Sequence, residues 1–302
     1  MEPSPAVIEM GGECDFTDPE EFLNRLSPRD PFWRVRPSNW IFRGQEGDWP
    51  LLPKAYRNGG EAFRAFGQSW KLWGQNRDDH WQRFQTAQIV LLNLFRDVLD
   101  KSGLAIPLQT PELYEGGSLR PSGPGVDPNA FPQLALAQHL GLPTPLLDWT
   151  TRPLVAAYFA VPKKKPSDDG KLVVWALRQD FIMGTSGFGA KFDGRRIVTT
   201  IEVAPRSSNA NLHAQAGLFT LVRGDAVHDV TIDDYVKRAA EGDPDLAAYG
   251  GGPLMRKLTL PILHSPALLR LLADEGIDGS TMFPGYDGIV RAMTERTLWS
   301  RK

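Results

Sequence analysis

A chain of 302 residues can hold one large domain or two ordinary ones, and its 34 Lys plus Arg balance 36 Asp plus Glu to a formal charge of -2, without a basic tail or basic helix. No tail or helix therefore supplies the nonspecific phosphate attraction on which most nucleic-acid binders rely, and no local basic patch is evident. The single cysteine, Cys14, excludes an internal disulfide framework and a cysteine-rich metal site, no stretch approaches the ~18 apolar residues of a spanning helix, and the acidic start lacks a signal-peptide pattern.

The expected compartment is therefore the cytoplasm, with no membrane contact. Nine Trp stand against six Tyr, and six of those Trp (Trp33, Trp40, Trp49, Trp70, Trp73 and Trp81) fall in the first third, where core packing is the expected use of so much aromatic surface.

In chain order, Asp18 to Leu26 reads as a short helix with Phe22, Leu23 and Leu26 on one side, Thr17 as N-cap, Pro19 in the first turn and Glu20 closing a capping box. Residues Asn39 to Arg43 read as a strand ending at Gly44, followed by a turn from Gln45 to Pro50. Glu61 to Lys101 is mostly helical, with Trp81, Phe84, Ala87, Leu91, Phe95 and Val98 on one face and Gly103 as the stop. The Pro- and Gly-rich stretch 107–129 reads as a loop insertion within one domain.

A second helix is expected over Phe131 to His139, ended by Gly141. Thr144 to Asp148 is expected to be extended, and Pro153 to Ala160 to be a helix with proline in its first turn. Beyond the lysine-rich loop from Val161 to Gly170, strands are expected at Leu172 to Leu177, Ile197 to Val203, Leu218 to Val222 and Leu258 to Leu263. Ala267 to Glu275 reads as a helix and Ser280 to Val290 as a turn-rich closing segment. Strands gathered in the second half and helices in the first argue for α+β rather than βαβ alternation. The expected organisation is a leader with one short helix over 1–38 and a single large domain over 39–302, with a mixed strand core and a helical N-terminal half.

Arg43 follows three apolar residues. A guanidinium in such a place needs a partner, and two readings stay open: a pair with an internal acid such as Asp148, or two-point binding of a phosphate or carboxylate ligand. Gly44 permits a tight turn or a close backbone approach. His139 ends its helix and serves either as a ligand donor or as a C-terminal cap.

Asp148, Trp149 and Thr150 stand where a strand meets a helix start. Trp149 offers a wall for a flat ring, whereas Thr150 or Thr151 is equally readable as an N-cap. Gln215 sits in a polar run before a strand and can hold a hydroxyl or amide, but it has no titratable group, so any general base there would be His213. The five histidines are scattered, no His-Glu-x-x-His spacing occurs, and no metal is expected.

Four ordered blocks carry a family resemblance. They are Trp40 to Gln45, the central block from Leu136 to Ala160 with Gln138-His139-Leu140-Gly141-Leu142-Pro143-Thr144 and Leu146-Leu147-Asp148-Trp149-Thr150, the segment Gln215 to Thr220, and Phe283-Pro284-Gly285-Tyr286-Asp287-Gly288. Together they resemble the FRG domain family, named for its Phe-Arg-Gly tripeptide. Pro145 stands where that family usually has an arginine, with Arg152 as a possible replacement, and Gln215 stands alone where paired glutamines are common.

The motif order is also similar to that of ADP-ribosyltransferases: a first-strand arginine, a short polar motif before a helix, an apolar strand, and a Glu- or Gln-bearing loop. The resemblance implies an ADP-ribosyltransferase-like strand core and an NAD-dependent transferase, acting on an unknown protein or nucleic-acid target as a toxin or defence effector. It implies that Arg43 binds the pyrophosphate or ribose side of NAD, with Gly44, Gln45 and His139 among the cofactor-binding residues. Asp148, Trp149 and Thr150 would support the nicotinamide ribose, and Gln215, with His213, would stand at the catalytic position. The alternatives are a noncatalytic nucleotide- or ADP-ribose-binding module and a structural protein-interaction domain.

Overall fold

The computed structural model describes residues 8–10, 12–33, 40–66, 80–105, 130–162, 170–185, 190–192, 195–203, 210–224, 231–242 and 253–300. The expected loop insertion at 107–129 lies outside the described residues.

The frame is one mixed, open nine-stranded sheet in the order β1-β2-β9-β5-β3-β4-β8-β7-β6. The strands are β1 (Ile8–Met10), β2 (Glu13–Asp15), β3 (Trp40–Gln45), β4 (Leu146–Thr150), β5 (Lys171–Arg178), β6 (Ala190–Phe192), β7 (Arg195–Glu202), β8 (Gly217–Gly224) and β9 (Met255–Pro261). Only β2 with β9 is parallel; every other neighbour is antiparallel. β5 lies inside the sheet, beside the central β3, and is buried from Leu172 to Arg178, as a strand covered on both faces must be.

Strand alternation sorts the core. Ile41, Val173, Trp175, Leu177, Leu147, Trp149 and Leu218 point to one face. There they pack with 3₁₀ turns over Lys54–Phe66, with α2 (His80–Lys101), and with the helices α5 (Gln179–Thr185) and α7 (Ile232–Gly242). The other face carries two clusters. Over β9, β5 and β3 lie α1 (Pro19–Leu26), α4 (Pro153–Ala160) and α8 (Ser265–Asp274); over β4 and β8 lies α3 (Phe131–His139), with Ile89 and Leu92 of α2 against it.

Several local expectations are corrected. The cap of α1 is Asp18, whose Oδ1 accepts from the amides of Glu20 and Glu21 at 2.8 and 2.9 Å, and not Thr17. Val98 is exposed; the inward seam of α2 uses Ala87, Gln88, Leu91, Leu92 and Leu99. The segment read as turn-rich from Ser280 forms two helices, α9 (Gly279–Met282) and α10 (Tyr286–Trp299). Helices α5 to α10 also fill the second half, so helix is not concentrated in the first. A further helix, α6 (Ala210–Ala214), precedes β8.

The N-terminal residues are tied into the same sheet. Asp15 at the end of β2 accepts from Lys171 Nζ at 2.8 Å and from the Thr259 hydroxyl. The Lys171 bond, with that hydroxyl, holds the Asp15 carboxyl below its ordinary range. A depressed carboxyl stabilises the fold above its unfolded pKa, and that contribution disappears as pH falls through the lower folded value. Asp15→Asn is therefore expected to flatten the acid limb of the stability curve below about pH 3.9, which urea titrations across pH would read.

Candidate functional site

β3 and β4 meet at a single registered pair, Phe42 with Thr150, whereas β3 pairs with β5 along its whole length. Beyond that pair the two strands part, and Arg43 occupies the gap. Alternation starts its side chain on the Trp175 face, yet its Nη1 reaches the Asp148 carbonyl at 2.8 Å, so a guanidinium takes the place of a ladder bond. Asp148 Oδ2 lies 3.8 Å from the same nitrogen; the arginine side chain is 14% exposed and the aspartate 59%. The pair expected from residue types is thus present, but it is loose.

The Asp148 carboxylate is held from elsewhere. Gln138 Nε2 donates to Oδ2 at 2.9 Å, the Thr144 hydroxyl donates to Gln138 Oε1, and the Leu146 amide donates to Thr144 Oγ1 at 3.3 Å. This chain ties α3 to β4 and fixes where the carboxylate stands. Arg43 Nε is buried without an acceptor. Burial pulls the Arg43 pKa down, Asp148 acts against that, and the second guanidinium of Arg57 adds to the lowering. A guanidinium stays charged through such shifts, so the gap holds a cation with unused donor capacity.

Above the gap lies a cleft of about 300 Å³ with α4 on one side and α6 with the start of β8 on the other. Arg43, Glu46, Asp148, Thr150, Phe159 and Gln215 are among its walls. Gly44 also lines it, but its need for glycine has another cause: a Cβ there would stand 2.0 Å from the Ala156 carbonyl oxygen and 2.5 Å from the Ala160 amide nitrogen. The small residues Ala156, Ala157 and Ala160 bring α4 down onto β3, and the strand continues to Gln45 instead of turning at Gly44.

The other expected residues divide. The Thr150 hydroxyl donates to the Gln215 carbonyl at 2.7 Å and accepts from the Arg152 amide at 3.0 Å, joining the cleft floor to the start of α4. Gln215 lines the cleft, but its Nε2 donates to the Met282 carbonyl at 3.1 Å. Trp149 is not a free stacking wall: it is 3% exposed in the core, with its indole N–H on Thr220 Oγ1 at 2.8 Å. Gln45 is buried on the opposite face and bonds the Trp49 carbonyl at 2.7 Å. His139 and His213 are exposed and do not line the cleft; His139 Nε2 stands 3.3 Å from Asn211 Nδ2. Glu46, Gln138, Thr144 and Arg57 were not singled out by the sequence; Glu46 directly follows β3 and lines the cleft.

The turn into β8 stores strain beside the site. Ala216 has φ of 46°, a left-handed conformation that costs a side-chain-bearing residue, and its carbonyl accepts from the Thr151 amide at 3.3 Å. Ala216→Gly is expected to raise stability by about 1 kcal/mol, read as a higher urea midpoint at unchanged m-value.

Among the described residues, no group of three or more His, Cys, Asp or Glu is placed to hold a metal ion, and no helix is long and apolar enough to cross a membrane. A family model for the FRG domain matches residues 110–169, about a fifth of the chain. The chain therefore carries an FRG domain region there, and that region includes Gln138, Thr144, Asp148 and Thr150 but neither Arg43 nor Gln215. No curated protein and no solved structure matches the chain at a significant level. These findings carry no relation to ADP-ribosyltransferases.

Proposed function

We propose that the cleft binds NAD and that the chain transfers its ADP-ribose to a macromolecular acceptor. The observation that supports this reading is Arg43: a largely buried cation, loosely paired and with an unpartnered Nε, in the wall of a cleft of about 300 Å³. That is the low end of the volumes that hold small ligands, and a guanidinium fork suits a phosphate. In the reaction the bond from ribose C1′ to nicotinamide breaks, nicotinamide leaves with the electron pair, and an acceptor nucleophile attacks C1′ and loses its proton. Positive charge grows on the ribose meanwhile. Asp148, held by Gln138, supplies the fixed negative charge, because Gln215 has none to give.

A second reading has its own observation. Gln215 spends its amide on Met282 and carries no titratable group, which suits a cleft that binds ADP-ribose without reacting. One experiment separates the two. Purified protein is incubated with NAD and cell lysate, nicotinamide and macromolecular mass are followed by mass spectrometry, and ADP-ribose binding is measured by calorimetry. Nicotinamide release supports transfer; ADP-ribose binding without release selects the binding module. Neither release nor binding overturns both.

A further inference from the structure

We infer that Glu46 is the hydroxyl-binding end of the cleft and selects a ligand whose ribose carries free 2′- and 3′-hydroxyls over the 2′-phosphorylated form. The inference rests on the reading of the cleft as an ADP-ribose site. Phe42 and Gly44 fall on one face of β3 by alternation, and Glu46, the residue after the end of that strand, lines the same cleft with them. The two ends of that cleft are distinct. Thr150 pairs with Phe42 and bonds Gln215, so Gln215 marks the Phe42 end; Glu46, just past the end of β3, lies at most about 13 Å further along the chain, with Arg43 between them.

The cleft holds two carboxylates, and they are not equivalent. Asp148 is engaged by Gln138 and Arg43, whereas no described residue meets the half-buried Glu46 carboxylate with a hydrogen bond or ion pair. A free carboxylate accepts two hydroxyl hydrogens at once, which a ribose diol supplies. Glu46 follows Arg43 by three residues, at most about 10 Å of backbone, a span that one nucleoside diphosphate covers with its phosphates on the arginine. A 2′-phosphate in the same place would set nearly two negative charges against the carboxylate and supply no hydrogen to donate.

The test is calorimetric titration of the full chain with ADP-ribose and with 2′-phospho-ADP-ribose. The wild type is expected to bind ADP-ribose at least about tenfold more tightly. Glu46→Gln should bring the two affinities within about twofold, mainly by tightening the phosphorylated ligand, and Glu46→Arg should invert the preference. Equal affinities in the wild type, or a preference unchanged in both variants, overturns the inference and leaves the ADP-ribose reading standing. Failure of the wild type to bind either ligand overturns both.

Discussion

Gly44→Ala is expected to lower the unfolding free energy by about 3 kcal/mol or more, as a large drop in the denaturant midpoint or a failure to accumulate folded protein. The added Cβ would meet the Ala156 carbonyl oxygen at 2.0 Å, the Ala160 amide nitrogen at 2.5 Å and the Phe159 carbonyl carbon at 2.9 Å. All three are backbone atoms inside a helix, so no rotamer change relieves the contact. Relief requires α4 to lift from β3, and that separates the apolar residues Val155, Ala156, Ala157 and Ala160 from Phe42, Val174 and Ala176. The same movement opens one wall of the cleft. If Gly44→Ala kept both wild-type stability and ligand binding, glycine would not be what sets the distance between α4 and β3.

Arg43→Met is expected to weaken ADP-ribose binding on the order of 100-fold, the loss of about 3 kcal/mol in charge-assisted hydrogen bonds, while stability changes by less than about 1.5 kcal/mol. Methionine keeps much of the volume in the gap between β3 and β4 and removes the charge. The stability half follows from how little the protein does with this guanidinium: one bond to the Asp148 carbonyl, a carboxylate at 3.8 Å, and an Nε with no acceptor. The Asp148 carboxylate stays held by Gln138, and with 59% exposure it is not left as a buried unpaired charge. If Arg43 were a structural plug alone, the methionine variant would lose several kcal/mol and ligand affinity would not enter. Paired thermal melts and calorimetry on one preparation distinguish the outcomes.

Elements bounded by local chemistry were readable before any tertiary information. Helix α3 ends at His139 because Gly141 takes φ of +87°, and α4 begins at Pro153 because proline suits a first turn; both run to the residues expected. Strands β1, β2 and β6, three residues each, were not anticipated. A three-residue strand shows no periodicity, and pairing such as that of β2 with β9, more than 200 residues away, supplies what the local signal lacks. The closing segment misled for a related reason. Gly279 and Gly288 look like turn residues, but they mark where α9 and α10 cross, with a Cβ on Gly288 falling 1.8 Å from the Phe283 carbonyl oxygen.

For the site, residue types alone determined that Arg43 needs a partner, that Asp148 stands at the junction of a strand and a helix, and that Gln215 cannot act as a base. These follow from charge, desolvation and titration chemistry, which each residue carries wherever the chain places it. Which groups share the cleft was decided by tertiary structure. The parting of β3 from β4 brings Arg43 to the backbone of residue 148, the packing of α3 gives the carboxylate to Gln138, strand alternation turns Gln45 away, and the bend after β3 leaves Glu46 lining the cleft. The same long-range packing leaves His139 and His213 on the surface and commits the Trp149 indole to Thr220, because orientation depends on neighbours brought in from distant sequence.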